Sequence, residues 1–269
     1  MSELSQLYKL TGLEPDELAD ALSENPRAYM AVKGAVAEKH LEKYLNKQVG
    51  LGKIQSVRKG DGDFEKDFYI TANDNSEKIV ECKNVEVIEI SRANVIREFI
   101  AFCVEAGHLT SSYIYNLLCK NGIQTRGSSF EQALALLNGV TLKKVLQLLP
   151  KEIRQSGLPR YEFSASKLRS LQNVEDSGTY LNQFAPGLTI DFQRTRNSTD
   201  EAGDTKAQRF YRVGEIHIVA ACLFSRSLEW QFVFGSREVL TLHRHYSDRY
   251  SNSLTIDPEK WHTDISVLM

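Results

Sequence analysis

The stretch KDFYITANDNSEKIVECKN (residues 66–84) decides the fold expected for this chain, because it joins two β-prone runs through a turn-forming cluster. The second run, IVECKN (79–84), carries Glu81 and Lys83 on either side of Cys82. Alternate residues of an extended strand share a face, so Glu81 and Lys83 point one way and Cys82 points the other. The pattern predicts a hairpin with one apolar face and one charged face.

The first run of the hairpin adds a second carboxylate. In DFYIT the same alternation separates Asp67 from Phe68 and Ile70. If the turn joins the two strands in the right register, Asp67 converges with Glu81 and Lys83 over an apolar face. That face consists of Phe68, Ile70, Val80 and Cys82.

Two carboxylates and an ammonium group suit metal-assisted hydrolysis of a phosphodiester. Carboxylate oxygens are hard ligands that hold Mg²⁺ together with a backbone carbonyl and water. A neighbouring lysine can orient or deprotonate the attacking water and stabilise charge on the phosphate. The alternative is an exposed strand face of paired charges, since an acid–X–lysine tripeptide also arises by chance. Asp61 and Asp63 in GDGDF are rivals of Asp67 for the first carboxylate.

A long helix is predicted before the hairpin. Asn25 is a suitable N-cap and Pro26 a suitable first helical residue for the run through about residue 47. Along this helix Gly34, Glu38, Leu41 and Leu45 recur at the spacing of one helical face. Glu38 therefore places a carboxylate on a mostly apolar or small-residue face.

At these residues the sequence resembles the PD-(D/E)XK nuclease superfamily, in particular type II restriction endonucleases. The resemblance rests on Asp67, on Glu81 and Lys83 in VECKN, and on Glu38 in the preceding helix. Lys66 stands where the family name has proline, a position that commonly varies. The resemblance covers about residues 30–90 and 188–235.

Fold and function follow as expectations from this resemblance. It implies an α/β fold with a mixed β-sheet flanked by helices, and catalysis by Asp67, Glu81, Lys83 and Glu38, with Asp67 and Glu81 holding Mg²⁺. It also implies site-specific cleavage of double-stranded DNA by a homodimer, with a cognate DNA methyltransferase in the same system. A structure-selective repair or junction nuclease, and a non-catalytic DNA-binding regulator, are the alternatives.

The predicted core is interrupted by helical sequence. Residues 1–90 and 186–269 are expected to form the nuclease core, and residues 91–185 a helical insertion that could recognise DNA. In the later core segment DFQRTRNS, the resemblance puts Gln193, Arg194 and Arg196 near the site, with the arginines on phosphates. An edge strand with solvated arginines is the alternative.

The insertion is the basic part of the chain. Residues 91–174 hold 11 Lys and Arg against 5 Asp and Glu, although the whole chain has a net charge of −2. This asymmetry indicates either a surface for a polyanion or solvated helix faces. The segment LTSSYIYNLLCKNGIQTRGSSFEQALALL faintly resembles the helix-turn-helix of site-specific recombinases, which would put base and phosphate contacts at the start of its second helix. The residues there are Thr125, Arg126, Ser128 and Ser129.

Composition and spacing exclude several other classes. The 269 residues contain no apolar run of the roughly 20 residues that a membrane span needs and no signal-peptide pattern at the start, which predicts a cytoplasmic protein. The four cysteines include no Cys-X-X-Cys pair, so buried free thiols are expected. His243 and His245 are interpreted as part of a surface strand, because no third metal ligand stands at suitable spacing.

Overall fold

The computed structural model describes residues 6–61, 65–123, 129–169, 178, 182, 188–194 and 207–269. The chain divides into two compact units. The helical unit consists of Met1–Val32 and Val87–Ser166, and the sheet unit consists of Lys33–Glu86 and Lys167–Met269. The architecture is α/β, as expected.

The helical unit is built from amphipathic helices around its own apolar core. The helices up to residue 169 are α1 (Gln6–Thr11), α2 (Pro15–Glu24), α3 (Pro26–Gly50), α4 (Ala93–Glu105), α5 (Ser111–Lys120), α6 (Phe130–Leu136), α7 (Gly139–Leu148), α8 (Lys151–Arg154) and α9 (Leu158–Arg169). The residues of α3 and of α9 are divided between the two units. Phe99, Ile114, Leu142 and Phe163 are among the fully buried side chains of this core.

The sheet unit contains a mixed six-stranded sheet with strand order β1-β2-β3-β5-β6-β8 and a separate two-stranded sheet, β4-β7. The strands are β1 (Ser56–Lys59), β2 (Phe68–Thr71), β3 (Glu77–Asn84), β4 (Thr189–Asp191), β5 (Ile218–Cys222), β6 (Phe232–Ser236), β7 (Ser253–Thr255) and β8 (Trp261–His262). Strands β1, β2 and β3 form an antiparallel meander, and β5 lies parallel to β3. The sheet is therefore mixed and flanked by helices.

The predicted hairpin is present in the predicted register. Phe68 pairs with Val80 and Tyr69 with Ile79, which puts the apolar residues of β2 and β3 on a common face. Phe68, Ile70, Val80 and Cys82 are buried in one cluster together with Ala37, Leu41 and Leu45 of α3. The apolar face of the hairpin thus packs on the helix that precedes it.

Helix α3 begins where its capping residue predicts. The Ala28 N–H donates to Asn25 Oδ1 at 3.2 Å, which satisfies one of the first amide groups of the helix. Pro26 is the first helical residue, where its missing N–H costs nothing. The helix ends at Gly50, about one turn later than expected.

One predicted strand takes a different place. The segment DFQRTRNS and the segment RFYRVGEIHIVAACLF that follows it were both expected to supply strands of the core sheet. The second does so as β5, whereas the first forms β4, which pairs with β7, and Ile190 bridges to Val85. Strand β5 occupies the position beside β3 instead, and all five of its residues are buried. A central strand covered on both faces needs a continuous apolar run, which IVAAC supplies and TID does not.

The boundaries between the units also differ from those expected. The N-terminal residues 1–32 were assigned to the core, but they belong to the helical unit. Ring contact between Tyr29 and Tyr161, at 5.4 Å between centroids, and a hydrogen bond from Tyr161 to Met30 Sδ attach this segment to α9. The helical unit resumes at residue 87 and ends at 166, against the expected 91–185.

Two further expectations concern the thiols and the membrane. All four cysteines are free, and Cys119 is exposed whereas the other three are buried as expected. Among the described residues, no helix has both the length and the apolar character that crossing a bilayer requires.

The sheet unit buries one lysine in its apolar core. Lys33 is 4 % exposed, and its Nζ donates to Ser225 Oγ at 2.6 Å. Burial lowers the pKa of Lys33 from 10.5 to about 8. Between pH 8 and 10.5 the unfolded chain therefore binds a proton that the folded protein has released, so the free energy of unfolding rises with pH across this window.

Replacing this lysine should stabilise the protein at neutral pH. Lys33→Met removes a buried ammonium, and we expect a gain on the order of 3 kcal/mol at pH 7 that disappears as the pH approaches 10.5. Urea unfolding at several pH values measures the difference. The matched control is Lys39→Met, since the Lys39 side chain is 63 % exposed and should show no such dependence. An equal gain in the free energy of unfolding at pH 7 and pH 10.5 would contradict the lowered pKa of Lys33.

Candidate active site

The hairpin brings Asp67 and Glu81 together at adjacent strands. Because Phe68 pairs with Val80, Asp67 lies across from Glu81 in the antiparallel register. The Cys82 N–H donates to Asp67 Oδ2 at 2.7 Å, which anchors one oxygen of this carboxylate. The convergence predicted from the alternation in residues 66–84 is present.

Glu81 has one engaged oxygen and one without a partner. The residue is only 5 % exposed. Its Oε1 accepts hydrogen bonds from Lys83 Nζ, at 2.8 Å, and from the Tyr211 hydroxyl. Its Oε2 is buried and has no hydrogen-bond partner among the described residues. A buried carboxylate oxygen in this state is costly unless a ligand satisfies it.

Lys83 and Tyr211 both hold their protons firmly. Burial alone would lower the pKa of Lys83, but the charge of Glu81 and the hydrogen bond to it outweigh burial and raise that pKa well above the ordinary value. Burial, and then the Glu81 charge, raise the pKa of Tyr211 well above its ordinary value. At neutral pH Lys83 is therefore a cation and Tyr211 a hydrogen-bond donor, both directed at Glu81 Oε1.

A group of cations surrounds the Tyr211 ring. Lys83 Nζ, Lys66 Nζ and Arg194 Cζ lie 5.5, 5.9 and 5.3 Å from the ring centroid. Lys66 and Arg194 both pair with Glu215, the former at 2.6 Å. Burial would raise the pKa of Glu215, but Lys66, the Arg212 N–H and Arg194 lower it overall. The acidic pair thus lies beside a set of positive charges.

The carboxyl group of Asp67 has a strongly raised pKa. Burial, and then the charges of Glu81 and Glu38, raise the pKa of Asp67 from 3.8 to about 8, against the opposing effects of Lys83 and the Cys82 N–H. The folded protein consequently retains a proton that the unfolded chain releases above pH 3.8. The contribution of this proton to the free energy of unfolding is fully present below pH 3.8 and is lost as the pH rises through 8.

Asp67→Asn should therefore stabilise the protein in EDTA at alkaline pH. Asparagine keeps an acceptor for the Cys82 N–H but carries no charge, and we expect a gain on the order of 2 kcal/mol at pH 9 after allowance for solvent screening. At pH 4 the variant and the wild type should unfold at nearly the same urea concentration. Asp61→Asn is the control, because Asp61 is exposed. A variant no more stable than wild type at pH 9 would contradict the raised pKa.

Glu38 lies on α3 within electrostatic reach of this pair. Its carboxylate helps to raise the pKa of Asp67, and its Oε2 pairs with Lys59 Nζ at 3.3 Å. The rival carboxylate Asp61 is exposed and uses its backbone N–H to donate to Glu65. The other rival, Asp63, lies outside the described residues. Asp67 is therefore the carboxylate that the structure puts beside Glu81.

Some of the residues expected to contact DNA are described by the structure, and the others lie outside the described residues. Arg194 reaches the Tyr211 ring, whereas Gln193 donates to Asp191 Oδ1 at 2.6 Å. The remaining predicted contacts lie outside the described residues: Thr125, Arg126, Ser128 and Arg196. Ser129 is described and serves as the N-cap of α6, where its hydroxyl accepts from the Gln132 N–H.

The donor set for a metal ion is a pair of carboxylates. Among the described residues, no group of three or more His, Cys, Asp or Glu side chains is arranged to hold a metal. Asp67 and Glu81 nevertheless fit Mg²⁺, which typically uses one or two carboxylates and keeps several waters. The unsatisfied Glu81 Oε2 is the observation in favour of this fit.

Sequence reasoning missed Tyr211, Lys66 and Glu215. Tyr211 lies 130 residues beyond Glu81, and no spacing connects the two positions. Lys66 was noted only as the residue in place of a proline, and Glu215 belongs to a turn before β5. The aromatic and basic run RFYR at 209–212 was the available signal. The chain matches no family model, no curated protein and no solved structure.

Proposed function

We propose that this protein is a Mg²⁺-dependent DNA endonuclease of the PD-(D/E)XK type. The observation that carries the proposal is the buried pair Asp67 and Glu81 with Lys83 hydrogen-bonded to it at 2.8 Å. A mixed sheet flanked by helices, with the acidic pair on its β2-β3 hairpin and Glu38 on the helix packed behind, supports the same fold family.

The protein residues have separate roles in this proposal. Asp67 Oδ1 and Glu81 Oε2 would hold the metal ion, because the other oxygen of each carboxylate is already hydrogen-bonded. Tyr211 and Lys83 fix Glu81 in this orientation through Oε1. When bound, Mg²⁺ polarises the phosphate and lowers the pKa of a water molecule at the site.

Lys83 is assigned an electrostatic role rather than that of a base. Its raised pKa keeps the ammonium charged at neutral pH, so it can orient the attacking water and stabilise negative charge that develops on the phosphate. Deprotonation of water by Lys83 would require loss of a proton that Glu81 stabilises. Of the two roles predicted from sequence, orientation therefore fits the geometry better.

The substrate is proposed to be double-stranded DNA cut at specific sites, as in restriction enzymes. The basic residues of 91–174 and the cations near Tyr211 suit a polyanion. A homodimer would supply the two active sites needed for double-strand cleavage, and a companion methyltransferase would protect host DNA. These last features remain predictions from the family resemblance.

Incubation of the purified protein with unmethylated phage DNA tests the proposal. We expect discrete fragments with Mg²⁺ and intact DNA with EDTA. A metal-dependent smear would favour the structure-selective or non-specific nuclease. Intact DNA under all metal conditions, with DNA binding retained, would overturn the nuclease proposal and favour the DNA-binding regulator.

A further inference from the structure

Residues 243–249 form a hydrogen-bonded turn beside the segment that carries Tyr211, rather than the surface strand expected from LHRHY. The His243 N–H donates to the Arg249 carbonyl at 2.8 Å, and the Arg249 N–H to the Tyr246 carbonyl at 3.1 Å. We refer to residues 243–249 together with Phe210 as the aromatic turn. Its backbone bonds order the turn before any ligand binds.

Stacked rings attach the aromatic turn to the segment that carries Tyr211. The Phe210 and His243 rings stack at 4.5 Å between centroids, and His243 and Tyr246 lie 4.9 Å apart. The Tyr250 N–H donates to the Tyr211 carbonyl at 2.8 Å, which adds a backbone connection. The turn and the Glu81 partner Tyr211 are therefore parts of one packed arrangement.

The outer surface of this arrangement is positively charged. Arg209, Arg212 and Arg244 are exposed, and Arg244 Nε donates to His245 Nε2 at 2.7 Å. The one carboxylate of the turn, Asp248, pairs with Arg249 at 3.2 Å. The three exposed arginines consequently give the surface a positive balance.

Part of this charge lies close along the chain to Tyr211, the partner of Glu81. Phe210 and Arg212 flank Tyr211, whose hydroxyl donates to Glu81, and two residues of chain span at most about 7 Å between Cα atoms. Arg209 is thus within one or two nucleotide spacings of the Tyr211 backbone. Because the length of the Tyr211 side chain separates its backbone from Glu81, a phosphate a few nucleotides from the one being cut would fall in reach of such a surface.

We propose that the aromatic turn, with Arg209 and Arg244, binds the sugar–phosphate backbone of duplex DNA beside the scissile phosphate. The inference rests on the proposed nuclease function and names a surface of the same site. Guanidinium groups form paired, charge-assisted hydrogen bonds with phosphate, and the stacked rings hold the turn in position. No base reading is assigned to this surface.

The test is a binding measurement on the full chain. Fluorescence anisotropy of a labelled DNA duplex, with Ca²⁺ in place of Mg²⁺, compares wild type with Arg209→Gln/Arg244→Gln between roughly 50 and 200 mM salt. Loss of two phosphate contacts should weaken binding on the order of tenfold and reduce the slope of log affinity against log salt by about two. Thermal unfolding verifies that the variant folds.

A charge-matched control removes the effect of net charge alone. Lys43 and Lys47 are exposed on α3, which packs on the sheet face opposite to Tyr211, so Lys43→Gln/Lys47→Gln should leave the salt slope nearly unchanged. If wild type binds and cuts but the arginine variant binds as tightly as the control, the inference is overturned while the nuclease proposal stands. If wild type neither binds nor cuts DNA, both are overturned.

Discussion

Glu81→Gln is expected to abolish Mg²⁺-dependent cleavage while leaving DNA binding in Ca²⁺ within a few-fold of wild type. Glutamine has nearly the same shape but lacks the negative charge that would hold the metal ion through Oε2. Loss of several kcal/mol of transition-state stabilisation corresponds to a rate at least ~10³-fold lower. Asp67→Asn should behave in the same way, because Asp67 lies across from Glu81 on the neighbouring strand and is the second proposed ligand of the metal ion.

The control for this prediction lies on the same strand. Glu77→Gln changes an exposed carboxylate at the start of β3 and should cut DNA at the wild-type rate. Single-turnover cleavage of a plasmid under saturating protein measures the chemical step for all three variants. If Glu81→Gln retained cutting, the acidic pair would have to be removed from the mechanism.

Lys83→Met should produce the second-largest loss, on the order of 10²-fold to 10³-fold in the single-turnover rate. The ammonium lies 2.8 Å from Glu81 Oε1, so its removal takes away both charge stabilisation at the site and one of the two donors that orient Glu81. Tyr211 remains as the second donor, and we expect metal binding to persist at reduced affinity.

Lys78→Met provides the comparison for Lys83→Met, because alternation places Lys78 on the opposite face of β3. Isothermal titration with Mg²⁺ separates an effect on metal binding from an effect on the rate. A Lys83→Met protein with full activity would remove this lysine from the catalytic group. A Lys83→Met protein that no longer binds metal would limit the residue to positioning Glu81.

Some features of the fold follow directly from short-range pattern. The alternation in residues 66–84 predicts which side chains of the hairpin share a face, because successive side chains of a strand always point to opposite sides. Asn25 and Pro26 predict the start of α3, since the capping oxygen and the fixed proline backbone act within one turn.

Other features depend on the path of the chain between distant segments. The segment around Ile190 has strand character, but β5 takes the place beside β3 because its uninterrupted apolar run tolerates burial on both faces. Likewise, residues 1–32 look like any helical segment, and contacts such as Tyr29 with Tyr161 decide which unit they join. Local periodicity contains no information about such partners.

The sequence by itself determined which side chains of each strand share a face: alternation puts Glu81 and Lys83 on one face of their strand and separates Asp67 from Phe68 and Ile70, and it acts over neighbouring residues. Only the tertiary structure decided that Tyr211 donates to Glu81 Oε1, that Oε2 is left without a partner, and that Lys66 and Arg194 meet at Glu215. The contacts of Tyr211 with Glu81 and of Lys66 with Glu215 join segments more than a hundred residues apart. Side chains so far apart in sequence meet only when the core they share has packed.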